Sequence, residues 1–200
     1  KELLTRVSLS FDIFESAVDE SVEEHETPPQ LVQTLALRKA EYTFRRFPEA
    51  VVLGADTVVS LEGDILGKPK NETDAKAILS RLSGGMHTVY TGVAVISAER
   101  KVNFCTATDV TFWELSKTEI EEYLMSGEPF DKAGAYGIQG LGATFVKEIH
   151  GDYFNVVGLP LSRTVRALRS FGIAGQPGQS RRNQGAARFA SGTRKGSNRI

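Results

Sequence analysis

The sequence predicts an α/β protein with a mixed, partly antiparallel central sheet and flanking helices. Strand-like and helix-like patterns intermix without the strict alternation that a doubly wound parallel sheet requires. "AVVLGAD" is a short, wholly apolar run of the kind buried on both faces. Two long strand-like runs, around Thr88–Ser97 and Val102–Trp113, are joined only by the charged turn "AERK", which makes them an antiparallel pair.

In chain order, "KELLTRV" reads as helix from the first residue, and "FDIFESA" (Phe11–Ala17) alternates as a strand. "TPPQLVQTLALRKAEYTFRRF" carries a full set of helix-start signals: Thr27 to cap it, Pro28 in the first helical position and Gln30 to complete a T-x-x-Q box. "TVVSLEGDIL" reads as a hairpin turning at Glu62-Gly63-Asp64. "NETDAKAILSRLSGG" is a helix capped by Asn71, with Ala75, Ile78, Leu79 and Leu82 on one stripe and Gly84-Gly85 to stop it. "SKTEIEEYLMSG" is another, with Ser116 as cap and Glu119 closing the box. "ATFVKEI" is expected as a strand and "PLSRTVRALRSF" as the final helix. Phe112 and Trp113 are expected in the core.

The formal net charge of −1 hides an asymmetry. Residues 175–200 hold six basic residues and no acidic one, which leaves 18 basic against 25 acidic residues in 1–174. An acidic body lacks the clustered cationic face that nucleic-acid binding needs. The Gly-, Ser-, Gln- and Arg-rich stretch 175–200 is expected to be a disordered basic tail behind one domain spanning 1–174. Cys105 is the only cysteine, so no intrachain disulfide forms, which fits a reducing cytoplasm. No apolar run approaches membrane-span length, and no signal-peptide pattern opens the chain.

Chemistry-bearing residues gather around glycine turns in two places. In "GADTVVSLEGDILGKP", Asp56 follows the buried strand, and a hairpin would bring Lys68 back towards it. "GEPFDKAGAYGIQGLGA" packs five glycines into seventeen residues with Asp131, Lys132, Tyr136 and Gln139 among them, a composition suited to close approach of backbone to a ligand. Asp131 and Lys132 fit a local ion pair or a direct catalytic role equally well. Other nucleotide and metal motifs fail. "GDILGKP" is one residue short of a P-loop and has Pro69 where the magnesium-holding hydroxyl belongs, and "GIQGLG" lacks the dinucleotide-binding spacing. His25, His87 and His150 have no metal-ligand spacing and read as surface or turn histidines.

Taken together and in order, "VLGADTVV", "LGKP", "RLSGGMHTVYTGVAV", "EPFDKAGAYGIQG" and "GDYFNVVGLPLS" resemble the Maf family of nucleoside triphosphate pyrophosphatases, from Lys1 to about Ile173. The resemblance implies an inosine-triphosphatase-like fold with two lobes around a cleft, and often a homodimer. It implies hydrolysis of a nucleoside triphosphate to monophosphate and pyrophosphate with Mg²⁺ or Mn²⁺. By motif, Asp56 matches the family's proton acceptor, Lys39 and Lys68 its phosphate-facing lysines, and Glu20 an acidic residue that would share the metal with Asp56. Thr57 and Gln139 fall at positions that separate subfamilies, and "GADT" with "AYGIQG" resembles the dTTP- and UTP-acting branch. A thymine- or uracil-selective site needs donors and acceptors that match the base edge, and the Gln139 amide offers both. Family members also carry a strand and a Ser-x-Ser-Pro-Arg-Arg loop ahead of the position of Lys1. Without them the chain is expected to lack a central strand and part of the phosphate cradle. A second reading is a catalytically weak nucleotide-binding regulator of cell division.

Overall fold

The computed structural model describes residues 1–19, 26–175 and 187–191. It is a mixed α/β fold. The elements are α1 (Glu2–Arg6), β1 (Phe11–Glu15), α2 (Pro28–Arg46), β2 (Val52–Leu61), β3 (Asp64–Leu66), α3 (Glu72–Leu82), β4 (Met86–Ile96), β5 (Lys101–Phe112), α4 (Lys117–Met125), β6 (Val146–His150), α5 (Tyr153–Val157), α6 (Leu161–Arg169) and β7 (Ala187–Ser191). The sheet runs β1-β7-β2-β4-β5-β6, with β3 paired to β2. β1, β7 and β2 are mutually parallel, and every pairing from β2 to β6 is antiparallel.

Helix α2 starts as its sequence requires, with the Gln30 side chain accepting from the Thr27 amide at 3.0 Å. Its buried residues Leu31, Val32, Leu35, Ala36 and Ala40 lie against β2 and β4. Gly54 on β2 and Gly92 on β4 allow that approach. A Cβ on Gly54 would meet the Ala36 carbonyl oxygen at 2.3 Å, and one on Gly92 would meet the Val32 carbonyl oxygen at 2.0 Å. The helix backbone therefore rests directly on the sheet, closer than any side chain would permit. The opposite face of the same strands, through Leu53, Val93 and Val95, packs under α1 and α6. A third cluster joins α3 and α4 to Val59, Val89, Phe112 and Phe145.

Four expectations are corrected. The strand expected over "ATFVKEI" is a 3₁₀ turn at Leu141–Phe145 followed by β6. His87 is buried, its ring edge-on to Phe112 and its Nε2 2.8 Å from the Tyr136 hydroxyl. Trp113 lies just past the end of β5 and is exposed, with the Lys147 ammonium 5.0 Å from its ring centre. Phe112 does belong to the core. Finally, Ala187–Ser191 of the supposed disordered tail form β7 between β1 and β2. The physical reason is that two parallel strand edges otherwise present unpaired backbone groups, and a strand satisfies both without a long apolar sequence. β7 runs with β2 and pairs Ala190 with Gly54, two residues before Asp56.

Two outcomes follow. Gly92→Ala should lower stability by about 3 kcal/mol, since the backbone contact cannot yield as a side chain would, and urea unfolding measures it. Burial lowers the His87 pKa from 6.5 to about 4, against the pull of Asp109, and its Nδ1 has no hydrogen-bond partner. The unfolded chain therefore binds the proton first as pH falls. Stability from the neutral ring is fully present above pH 6.5 and lost progressively down to about pH 4. The loss is about 3 kcal/mol, and denaturant midpoints of wild type and His87→Gln between pH 7 and 4 should show the flatter profile in the variant.

Candidate active site

Five of the six sequence-predicted residues line one cleft of about 930 Å³: Lys39 on α2, Asp56 and Thr57 on β2, Lys68 after the β2–β3 hairpin, and Gln139 in the glycine segment. Glu20 lies outside the described residues. The hairpin returns the chain as expected, with Val59 opposite Leu66, so that Lys68 follows at the rim of the same cleft. Lys68 and Gln139 are exposed, while Asp56 and Thr57 are half-buried.

Strand alternation divides the work between neighbouring residues. Asp56 points to the α2 face, where the Lys39 Nζ donates to its Oδ1 at 2.5 Å. Lys39 is 3% exposed, so its charge sits in a dry setting where a carboxylate partner offsets much of the desolvation. The pair depends on α2 lying flat over Gly54 and Gly92, because Asp56 is level with Gly92 in the β2–β4 register.

Thr57 points the other way. It stands opposite Thr91, and the two hydroxyl oxygens are 2.8 Å apart. Thr91 is fully buried and donates onward to the Asn155 carbonyl at 3.1 Å. Asn155 is itself fully buried, and its side-chain amide donates to the Val89 carbonyl and to the Thr108 hydroxyl, each at 3.0 Å. Asn155 thereby fixes the short helix α5 to β4 and β5. Sequence reasoning found neither Thr91 nor Asn155, and their only signal is a polar residue inside an otherwise apolar pattern.

The glycine segment is held by Glu128, also missed. Its carboxylate accepts from the Tyr123 hydroxyl at 2.9 Å, the Leu141 amide at 2.8 Å and the Gly142 amide at 3.2 Å. A Cβ on Gly140 would come within 2.2 Å of Glu128 Oε2, so the loop carrying Gln139 closes directly on the carboxylate. Burial opposes ionisation of Glu128, but the bonds from Leu141, Gly142 and Tyr123 outweigh it and hold the carboxyl below its usual range. Asp131 and Lys132 form the local ion pair, at 2.6 Å, with Lys132 also donating to the Glu128 carbonyl.

The Maf-like protein family matches residues 1–171. The chain belongs to the Maf family. A Bacillus cereus (strain ATCC 14579) protein named dTTP/UTP pyrophosphatase is 52% identical over 173 residues, covering 86% of this chain and 91% of that protein. A protein of the same name from Bacillus thuringiensis subsp. konkukian (strain 97-27) is 51% identical with the same coverage. The match to the Maf family spans both walls of the cleft, from α2 and β2 through the glycine segment to α5.

Glu128→Leu would remove both acceptor oxygens from the Leu141 and Gly142 amides. Each unmet bond should cost about 1–2 kcal/mol of local stability. Hydrogen exchange should then show these two amides opening about tenfold faster or more, with the strands unchanged.

Proposed function

We propose that the chain hydrolyses nucleoside triphosphates of the dTTP and UTP type to the monophosphate and pyrophosphate. The reading is carried by Asp56, a half-buried carboxylate at the wall of a nucleotide-sized cleft, seated against the Lys39 ammonium. It is supported by the names of the Bacillus relatives, which the chain matches over nine-tenths of their length.

In this reading a water attacks the α-phosphorus and Asp56 accepts its proton. Lys39 and Lys68 supply fixed positive charge to the triphosphate, whose negative charge grows on the leaving pyrophosphate. Gln139 and Thr57 face the nucleoside portion.

The same reading includes a divalent cation. Among the described residues no group of three or more His, Cys, Asp or Glu is placed to hold a metal. An ion here would take Asp56, with Glu20 as a second carboxylate, and draw its other oxygens from the triphosphate, as Mg²⁺ does in nucleotide sites. When bound it supplies charge neutralisation at the phosphates. Among the described residues no helix is long and apolar enough to cross a membrane, and the proposal places the enzyme in the cytoplasm, as a homodimer and without a nucleic-acid partner.

Asp56→Asn keeps the shape of the site and removes the proton acceptor. Pyrophosphate release from dTTP should fall by about 10²–10⁴-fold with the fold retained. Turnover equal to wild type would remove Asp56 from this role. Nucleotide binding with no release by the wild-type chain would favour the regulator reading.

A further inference from the structure

We propose that Thr57 meets the ligand as a hydrogen-bond acceptor only, because Thr91 takes its proton, and that the group it accepts from is the imide N3–H of a uracil or thymine base. The proposal rests on the nucleotide reading above and deepens it.

The argument is a proton count. Three oxygens lie in a row: Thr57 Oγ1, Thr91 Oγ1 and the Asn155 carbonyl, separated by 2.8 and 3.1 Å. Oxygens this close repel unless a proton lies between them, so two protons are needed. The carbonyl carries none, and each hydroxyl carries one. The Thr91 proton must serve the carbonyl contact, since no other proton in the row can reach it. The Thr57 proton must then serve the contact with Thr91.

The row cannot easily reverse. Thr91 is fully buried on β4, and the Asn155 carbonyl is held by the α5 anchor and by the Gly158 amide at 2.9 Å. Turning the Thr91 hydroxyl towards Thr57 would leave two oxygens facing each other at 3.1 Å in a dry setting. What Thr57 has left for the cleft is lone pairs.

The charges of the cleft indicate which part of a nucleotide Thr57 meets. Asp56, Lys39 and Lys68 suit the phosphates. Gly158 lies beside the Thr57 hydroxyl, and with it Val156, Val157 and Leu159 line the cleft without side-chain charge, a wall that suits the base. Of the two pyrimidine types, uracil and thymine place an N–H donor at N3, whereas cytosine places a lone pair there. A fixed acceptor favours the first and opposes the second, and the Gln139 amide N–H₂ complements a flanking carbonyl. A hydroxyl free to reverse would accept either base, so Thr91 is a positioning residue for selectivity and takes no part in the chemistry.

The test compares kcat/KM for dTTP and dCTP in wild type, Thr91→Val and Thr91→Ser, together with N3-methyl-dTTP on wild type. Thr91→Val keeps the shape and frees the Thr57 proton. The dTTP-to-dCTP ratio should fall by about tenfold or more, chiefly through better use of dCTP. Thr91→Ser, which keeps the hydroxyl, should restore the ratio. N3-methyl-dTTP should be used at least about tenfold less well than dTTP by wild type. An unchanged ratio in Thr91→Val, or N3-methyl-dTTP matching dTTP, overturns the proposal. Should Thr91→Val not fold, the N3-methyl comparison decides alone. Should wild type release no pyrophosphate, the enzymatic reading fails, and calorimetric binding of the same nucleotides to the same proteins still decides this one.

Discussion

The structure depends on one close approach, that of the α2 backbone to the sheet at Gly54 and Gly92. Two missing side chains let the helix sit against β2 and β4 with its carbonyl oxygens over the strands. An alanine at either position would lift it away. Because Lys39 is carried by this helix and Asp56 by the strand beneath, their 2.5 Å contact exists only at that separation. Packing and chemistry are one constraint here: the glycines that permit the core also set the ion pair at the wall of the cleft.

From that seat, the pleat of β2 distributes function. Val52, Gly54, Asp56 and Val58 face α2, while Leu53, Thr57 and Val59 face the other layer. A single strand therefore offers a charged group on one side and a polar, uncharged one on the other, within one residue. In the second layer Asn155 adds hydrogen bonds to β4 and β5 to the apolar contacts of α5, which suits a five-residue helix too short to hold itself in place. Glu128 acts likewise on the opposite wall, satisfying three donors and leaving Gln139 at a defined position.

Local signals in the sequence carried most of the fold. The T-x-x-Q box, the Asn71 and Ser116 caps and the Glu62-Gly63 turn each act within a few residues, and each element appears where they put it. The candidate site was legible through motifs, which located Asp56, Lys39, Lys68, Thr57 and Gln139 around the same cleft. The partnerships were not legible. Lys39 with Asp56, Thr91 with Asn155 and Glu128 with Leu141 join residues 13 to 64 positions apart, and no periodicity encodes such pairs. β7 was missed because composition argues from side-chain burial, whereas a gap between strand edges rewards backbone pairing. His87 was missed because its aromatic surroundings come from β5 and the glycine segment.

The central claim is that Asp56, seated by α2, directs water to the α-phosphorus of a nucleoside triphosphate. Hydrolysis of dTTP in ¹⁸O-labelled water, with products resolved by mass spectrometry, tests it most directly. The account predicts one labelled oxygen in the monophosphate and none in the pyrophosphate. Label in the pyrophosphate, or release of inorganic phosphate in its place, would contradict it.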